Sequence, residues 1–511
     1  MFLGINTKRF YYDIERLLSI FQWGMRPYFV KRGRTLSLTQ SNKNGLFGLR
    51  SWLKKILILW FVVYSHVAIA VELSGDVSLS QTGYISSELN SKGIQLYSPL
   101  SISVNGYSQG SVFEAGFAVK GMVDLSKGSS YGFLNVSEAF MGHAPVSLSS
   151  SFQSQFFFGR KLQSWSSLDE FWQLGYWQPR FMWDYLNPGS FGLTGLFWEF
   201  GSDDAGFVLF ASPLYIPEMG APVELIDGSF NSESPWFIAP PSTLMYSNQE
   251  TVINYQLSIP PLKEIISKNS FVGKFRLGNK KSFWGHASYA YKPMNQMLMA
   301  YQGYLDLNEQ EPEAKVVIYP RVIHHHLASF ELGYRDINKS KEFLSSYLSL
   351  TAERPVDYDL EIENLTYQRI SPGVTMSSVL GLNLFRLGEQ STQVQLGYLK
   401  TWGSKSFEEG ANVSSKSIFD ARFPYRNTFS LGVKSSFPTE FGNKFLIKTK
   451  WNYDFEYKGA IFNSSLQYSP SDSWKIAFSA DILGSKSDNT NNFISRYRAY
   501  DRISGGVSYV F

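Results

Sequence analysis

Between residues 160 and 198 the chain gathers side chains able to act on a passing solute. Trp165, Trp172, Trp177, Trp183 and Trp198 fall within 34 residues. Among them stand three cations, Arg160, Lys161 and Arg180, and three carboxylates, Asp169, Glu170 and Asp184. Charges lining a narrow passage select which ions enter it, and tryptophan offers a large apolar face with one polar handle. Arg160, Lys161 and Arg180 are therefore expected to face Asp169, Glu170 and Asp184 across a constriction, with Trp165, Trp172, Trp177 and Trp183 beside the path. The competing reading is a self-packed cap whose tryptophans are its own core.

Other motifs carry less. Gly106-Tyr107-Ser108-Gln109-Gly110 fits G-x-S-x-G, but a nucleophile elbow needs a strand before it and a helix after it. Val112, Glu114, Gly116 and Val119 follow with no helical period, so a hairpin turn is expected and no catalytic residue is assigned. His324, His325 and His326 adjoin one another. Neighbours on a strand point to opposite faces, so a polar strand end is expected and no metal site. No phosphate-binding loop, dinucleotide fingerprint, metalloprotease helix or haem attachment motif is present, so no cofactor is implied.

The tryptophan-rich stretch needs its own local structure. Ser167-Leu168-Asp169-Glu170 fits a capping box, which predicts a helix over Leu168–Leu174 ended by Gly175. Pro179 keeps the following Trp177–Asp184 out of a helix. This stretch, Leu162–Ser190, and the proline-rich 213–249 are the two interruptions in an otherwise regular pattern. Long segments of this kind are usually functional.

That regular pattern is a two-residue alternation. Phe445, Ile447, Thr449, Trp451, Tyr453, Phe455 and Tyr457 oppose Lys448, Lys450, Asn452, Asp454 and Glu456. Phe271, Phe275 and Leu277 oppose Lys274 and Arg276; Trp474, Ile476, Phe478 and Ile482 oppose Lys475, Ser479 and Asp481; Val394, Leu396 and Tyr398 oppose Gln393 and Gln395. Alternation of this kind gives strands with one apolar and one wet face. Aromatics reach 16% of the 511 residues while mean hydropathy is only −0.16. There is no cysteine, which excludes disulfides and thiolate metal sites.

The first 70 residues read differently. Lys54 and Lys55 precede the apolar run Ile56–Val63, and Ala68-Ile69-Ala70 follows shortly after. This is the pattern of a secretory signal over 51–70, cleaved after Ala70 with Ala68 as the other small residue. The run is too short to span a bilayer, which takes about 20 residues. Residues 1–50 are a basic extension outside that pattern, and 71–511 form one domain. Residues 1–70 hold eleven of the 47 basic and two of the 43 acidic residues, so the remainder carries a net charge of −5. No polybasic arm remains for nucleic acid.

The chain ends on Gly505–Phe511, where Val507, Tyr509 and the terminal Phe511 share one face. A last strand ending on a free aromatic residue resembles the C-terminal assembly signal of Gram-negative outer-membrane β-barrels. The alternating segments of about ten residues resemble that superfamily too. The resemblance implies an all-β fold: an antiparallel transmembrane barrel of about 18 strands, an even number between 16 and 22, with long outer loops. It implies a periplasmic C-terminus, outer-membrane lipid and lipopolysaccharide as surroundings, and the barrel assembly machinery as partner. Counting back from Phe511, residues 401–426 and 484–502 fall on the outer side with both interruptions. Ser469–Ser473 and Phe385–Glu389 fall on the inner side, and hairpins near Lys458-Gly459 and Ser371-Pro372-Gly373 on the outer. The function implied is passive passage of small polar solutes. The alternatives are a plugged barrel that assembles or binds surface polysaccharide and a barrel hydrolase, the latter lacking a nucleophile–base pair.

Overall fold

The computed structural model describes residues 71–511 except 87–95, 127–130, 150, 279–281, 307–312, 339–340, 357–364, 386–390, 411–412, 418–421, 439–443, 488 and 490. The extension 1–50, the segment 51–70 with Ala68 and Ala70, and most of the turn expected over Phe385–Glu389 lie outside the described residues.

Eighteen antiparallel strands form a closed barrel. In chain order they are β1 (Glu72–Tyr84), β2 (Pro99–Gln109), β3 (Phe113–Asp124), β4 (Gly132–His143), β5 (Gln153–Lys161), β6 (Leu193–Gly201), β7 (Ala205–Ser212), β8 (Ser270–Gly278) and β9 (Phe283–Pro293). There follow β10 (His324–Asn338), β11 (Lys341–Pro355), β12 (Gly373–Phe385), β13 (Ser391–Gly403), β14 (Asn427–Pro438), β15 (Lys444–Asp454), β16 (Gly459–Ser469), β17 (Trp474–Ser485) and β18 (Arg502–Val510). Closure runs from Asp76 opposite Val510 to Tyr84 opposite Arg502. It leaves no free edge, so every strand has a ladder partner on both sides.

Alternation sets the two faces of this wall. On β10 Phe330 and Leu332 are 55% and 52% exposed on the outside, while the intervening Glu331 faces inward and is fully buried. On β8 Phe271, Phe275 and Leu277 face outward, and Lys274 and Arg276 reach inward to the carbonyls of Ser164 and Ser202. Outward aromatics gather at both ends of the strands. Phe283 lies against Tyr334, Phe445 against Tyr468 and Trp474 against Tyr509 at one end. Trp402, Tyr453 and Phe455 stand at the other. An apolar band between aromatic girdles is the surface a barrel presents to lipid. No helix among the described residues is long and apolar enough to cross a membrane.

The connections differ between the two ends. At the turn end they are short, as at 110–112, 202–204 and 470–473, and at the loop end long, as at 162–192, 213–269, 404–426 and 486–501. The loop-end turn at Lys458-Gly459 is tight, with Lys458 at φ 53°. One hairpin differs from expectation. The 356–372 connection is not a tight turn at Ser371-Pro372-Gly373, because Thr366–Ile370 leaves the wall to join another sheet.

That sheet has seven strands drawn from four loop-end connections: Thr243–Tyr246 and Gln249–Leu257, Leu298–Asp306 and Glu313–Arg321, Thr366–Ile370, then Ser406–Gly410 and Val413–Ser417. A hairpin, Glu224–Asn231, covers part of one face through Leu225 and Phe230. One of these strands, Gln249–Leu257, alternates as a wall strand does, so counting alternating segments gives more strands than the barrel holds.

Candidate functional site

The segment 162–192 leaves the wall after β5 and crosses the lumen. It begins with α1 (Ser167–Trp172), one residue ahead of the predicted start, because Ser166 and not Ser167 is the N-cap. The helix ends at Gln173, which adopts a left-handed conformation at φ 53°, so Gly175 lies beyond its end. Asp169 holds the reversal that follows: its two carboxylate oxygens accept the Tyr176 and Trp177 amides at 3.0 and 2.9 Å. Burial pushes the Asp169 carboxyl above the usual carboxylate range. Gly175 sits at φ 74°, and a Cβ there would lie 2.6 Å from both Arg180 Nε and a Glu218 carboxylate oxygen. Only glycine suits that position.

The segment is anchored on the opposite wall. The Ser166 hydroxyl and the Ser167 amide donate to Glu331 of β10 at 2.7 and 2.9 Å. The indole of Trp172 donates to Ser377 of β12 at 2.8 Å, and Tyr176 Oη lies 2.8 Å from Thr375 of the same strand. Ser288 of β9 donates to the Trp165 carbonyl, and Lys450 of β15 to that of Phe171. Trp165, Leu168, Trp172, Leu174, Tyr176 and Trp177 form a core with Phe157, Phe197, Phe210 and Leu327 of the wall. Fully burying one such side chain contributes about 1.5–3 kcal/mol, against about 1 kcal/mol net for a hydrogen bond. Apolar packing therefore supplies most of what holds the segment in place, and the hydrogen bonds fix where it sits.

The ten expected passage residues separate. Trp165, Trp172 and Trp177 belong to this packed core, with Trp165 and Trp177 rings stacked at 6.4 Å. Trp183 belongs to a second cluster with Tyr131 and Met122 and donates to Tyr97 Oη at 3.0 Å. Trp198, counted with them in the sequence, stacks on Phe156 on the outside of the wall. The charges find partners other than one another. Arg160 donates to the Val136 carbonyl and Thr194, Lys161 pairs with Glu199 at 2.6 Å, and Arg180 pairs with Glu218 at 2.8 Å. Asp184 receives Arg502 of β18 at 2.7 Å, and Arg502 also binds Asp481 at 2.7 Å. Asp169 turns to backbone amides, so only Glu170 remains exposed, on the wall of a second cavity. The expected row of opposed charges is thus replaced by separate local pairs.

Beside the crossing segment a cavity of about 850 Å³ runs along β1–β4 and β13–β18. Its wall carries many small or polar side chains, among them Ser78, Ser80, Ser101, Asn135, Gln393, Gln395, Asn463 and Ser479. Tyr131, Phe133, Phe181, Trp183 and Trp236 form an aromatic side. Its cations are Lys120, Lys434, Lys448, Lys450 and Arg502, and its carboxylates are Asp184 and Asp481, both taken up by Arg502. Lys434 and Lys448 stand directly opposite each other on β14 and β15. Like charges so placed destabilise a sheet, by up to about 1 kcal/mol. The alternation of Lys448 and Lys450 was visible in the sequence; Lys434 carried no comparable signal, because it is the one charged residue of its strand, and neither did Glu331, because Ser166 and Ser349, which it binds, lie in other segments.

Other sequence motifs find plain settings. Ser108 lies near the end of β2, followed by a turn and β3, without the helix an elbow requires. His325 points inward to Glu353 at 2.8 Å, while His326 meets Tyr289 at 2.7 Å. His286 faces Glu331 at 2.7 Å. Among the described residues no group of His, Cys, Asp and Glu side chains is arranged to hold a metal.

No protein-family model matches the chain, and no curated protein does. Among solved structures it is similar to an anion-selective porin from Comamonas acidovorans, at 11% identity and a TM-score of 0.36, over 87% of this chain and all of that one. It is similar to a variant of OccD1 (OprD), at 10% identity and a TM-score of 0.39, over 86% of this chain and 94% of that one. Wzi of Escherichia coli, an outer-membrane carbohydrate-binding β-barrel involved in group 1 capsule assembly, matches at 10% identity and a TM-score of 0.40, over 86% and 84%. At such TM-scores these likenesses carry no weight for function.

Proposed function

We propose that the protein is a bacterial outer-membrane channel through which small polar solutes, sugar-like or organic ions, diffuse passively past the crossing segment 162–192. One observation carries the reading: the segment does not fill the barrel, and a cavity of about 850 Å³ with many polar side chains remains along the β1–β4 and β13–β18 wall. In this reading residues 51–70 direct secretion, and Val507, Tyr509 and Phe511 are read by the barrel assembly machinery. The C-terminus and the turn end are periplasmic, and lipid and lipopolysaccharide surround the wall. The concentration gradient drives passage, and charges lining the lumen tune it. Of the ten passage residues, Trp183 and Asp184 line the cavity directly. Trp165, Trp172, Trp177, Asp169 and Arg180 act by holding the obstruction, and Arg160, Lys161 and Glu170 flank it.

The burial of Trp165, Leu168, Trp172 and Trp177 favours a second reading, a plugged barrel that binds or assembles surface polysaccharide. Conductance of the purified protein in planar bilayers separates the two. Steady conductance supports the channel. Conductance only after residues 163–189 are replaced by a short linker supports the plugged barrel, and none in either form rules out passive diffusion.

A further inference from the structure

Within the cavity the cations are not spread evenly. Lys434 on β14 faces Lys448 on β15 across one ladder step, and Lys450 lies two residues along the same inward face. Gly432 stands opposite Lys450, so no side chain intervenes there. On the next strand Gln393 stands opposite Lys434, and Gln395 opposite Gly432. Lys450 is occupied: it donates to the Phe171 carbonyl at 3.3 Å and lies over the Phe171 ring at 4.4 Å. Lys434 and Lys448 have no carboxylate partner among the described residues, and both are exposed to the cavity. The two carboxylates that line this cavity are both bound by Arg502.

An opposed lysine pair is unfavourable for the wall that carries it, and nothing within the wall relieves it. A solute with two negative oxygens does: it takes one ammonium on each side in charge-assisted hydrogen bonds, while the two glutamine amides offer further donors. We propose that Lys434 and Lys448, flanked by Gln393 and Gln395, form a binding site for a small dianion, either a phosphate group or a dicarboxylate. The site deepens the channel reading by naming its solute class, yet it does not depend on conduction. A plugged barrel would hold it equally.

Binding to the purified full-length protein in detergent tests this by calorimetry, or by the fluorescence of Trp183 and Trp236 in the same cavity. Inorganic phosphate, succinate, acetate and glucose are the probes. Phosphate or succinate is expected to bind saturably, and whichever binds more tightly identifies the oxyanion; acetate and glucose are expected to bind far more weakly. Lys434→Gln and Lys448→Gln are each expected to weaken the dianion roughly tenfold or more, as fits loss of one ammonium contact. Lys458→Gln, at the loop-end turn, is expected to leave it unchanged. Since each variant removes the lysine repulsion, both are also expected to unfold at or above the parent's temperature. Equal dianion affinity in both variants, equal binding of glucose, or variants less stable than the parent would each overturn the site. A protein that binds phosphate without conducting would overturn the channel and keep the site.

Discussion

The Ser166 hydroxyl donates at 2.7 Å to Glu331, a fully buried carboxylate on the opposite wall of the barrel. The same carboxylate also takes the Ser167 amide at 2.9 Å and the Ser349 hydroxyl at 2.8 Å, and lies 2.7 Å from the His286 ring. One side chain thus joins the N-terminus of α1 to three neighbouring strands, β9, β10 and β11. Glu331→Ala leaves the Ser166 and Ser349 hydroxyls and the Ser167 amide without their acceptor, and each buried group so orphaned costs about 1–3 kcal/mol. The variant is expected to unfold at lower temperature and, if the barrel conducts, to show larger and noisier single-channel currents. Unchanged currents together with unchanged stability would refute the anchoring role.

Arg502 ties the crossing segment to the closing strand by holding Asp184 and Asp481 together. Arg502→Ala strands two carboxylates in a half-buried setting, and a loss of about 3 kcal/mol or more follows. Heating unboiled samples before electrophoresis measures it: the folded band should disappear at a lower temperature than in the parent. Asp184→Asn in the same background should restore part of the loss.

Gly75 makes room for the end of the chain. Its amide and carbonyl pair with Phe511 at 3.0 Å each, and a Cβ on it would lie 2.5 Å from the Ser103 carbonyl and 2.7 Å from the Phe511 ring. Gly75→Val is expected to lower the fraction of closed barrel recovered from membranes. Phe511→Ala in that background removes the ring clash but not the carbonyl clash, so recovery should be partial. Full folding of Gly75→Val would show that the wall yields there.

The Asp169 carboxyl supplies a pH test. Burial raises its pKa in the folded chain, so its contribution to stability is complete below the unfolded value, about 3.9. That contribution is lost as pH rises through the folded value. Asp169→Asn stays neutral throughout and should lack this loss. Tryptophan fluorescence during thermal unfolding, from about pH 4 to about pH 8, should show a flatter profile for the variant. Parallel profiles would mean that Asp169 does not titrate in this range.

The wall of the barrel was legible because one period governs it. Phe271, Phe275 and Leu277 announce their outward face and Lys274 and Arg276 their inward one without help from any distant residue. The loop-end sheet was not, since Gln249–Leu257 alternates as wall strands do, with Ile253, Tyr255 and Leu257 against Asn254 and Gln256, and only its pairing shows where it belongs. The crossing segment was found by its tryptophans, and its helix by Ser167–Glu170 to within a residue or two. Its charges were misread because partners came from remote positions: Glu218 for Arg180, Arg502 for Asp184, Glu199 for Lys161. Local spacing holds no record of a partner 318 positions away.

Closure between β1 and β18 places the backbone of Gly75 against that of the final residue, Phe511, at 3.0 Å. In a chain cut after Ala70, the two ends would lie on the same rim. A short peptide would join them into a ring, and new termini could be opened at the tight turn beside Lys458. A permutant of this kind should still close when refolded in detergent, where wall pairing alone decides, but it would no longer present Val507, Tyr509 and Phe511 as its last strand.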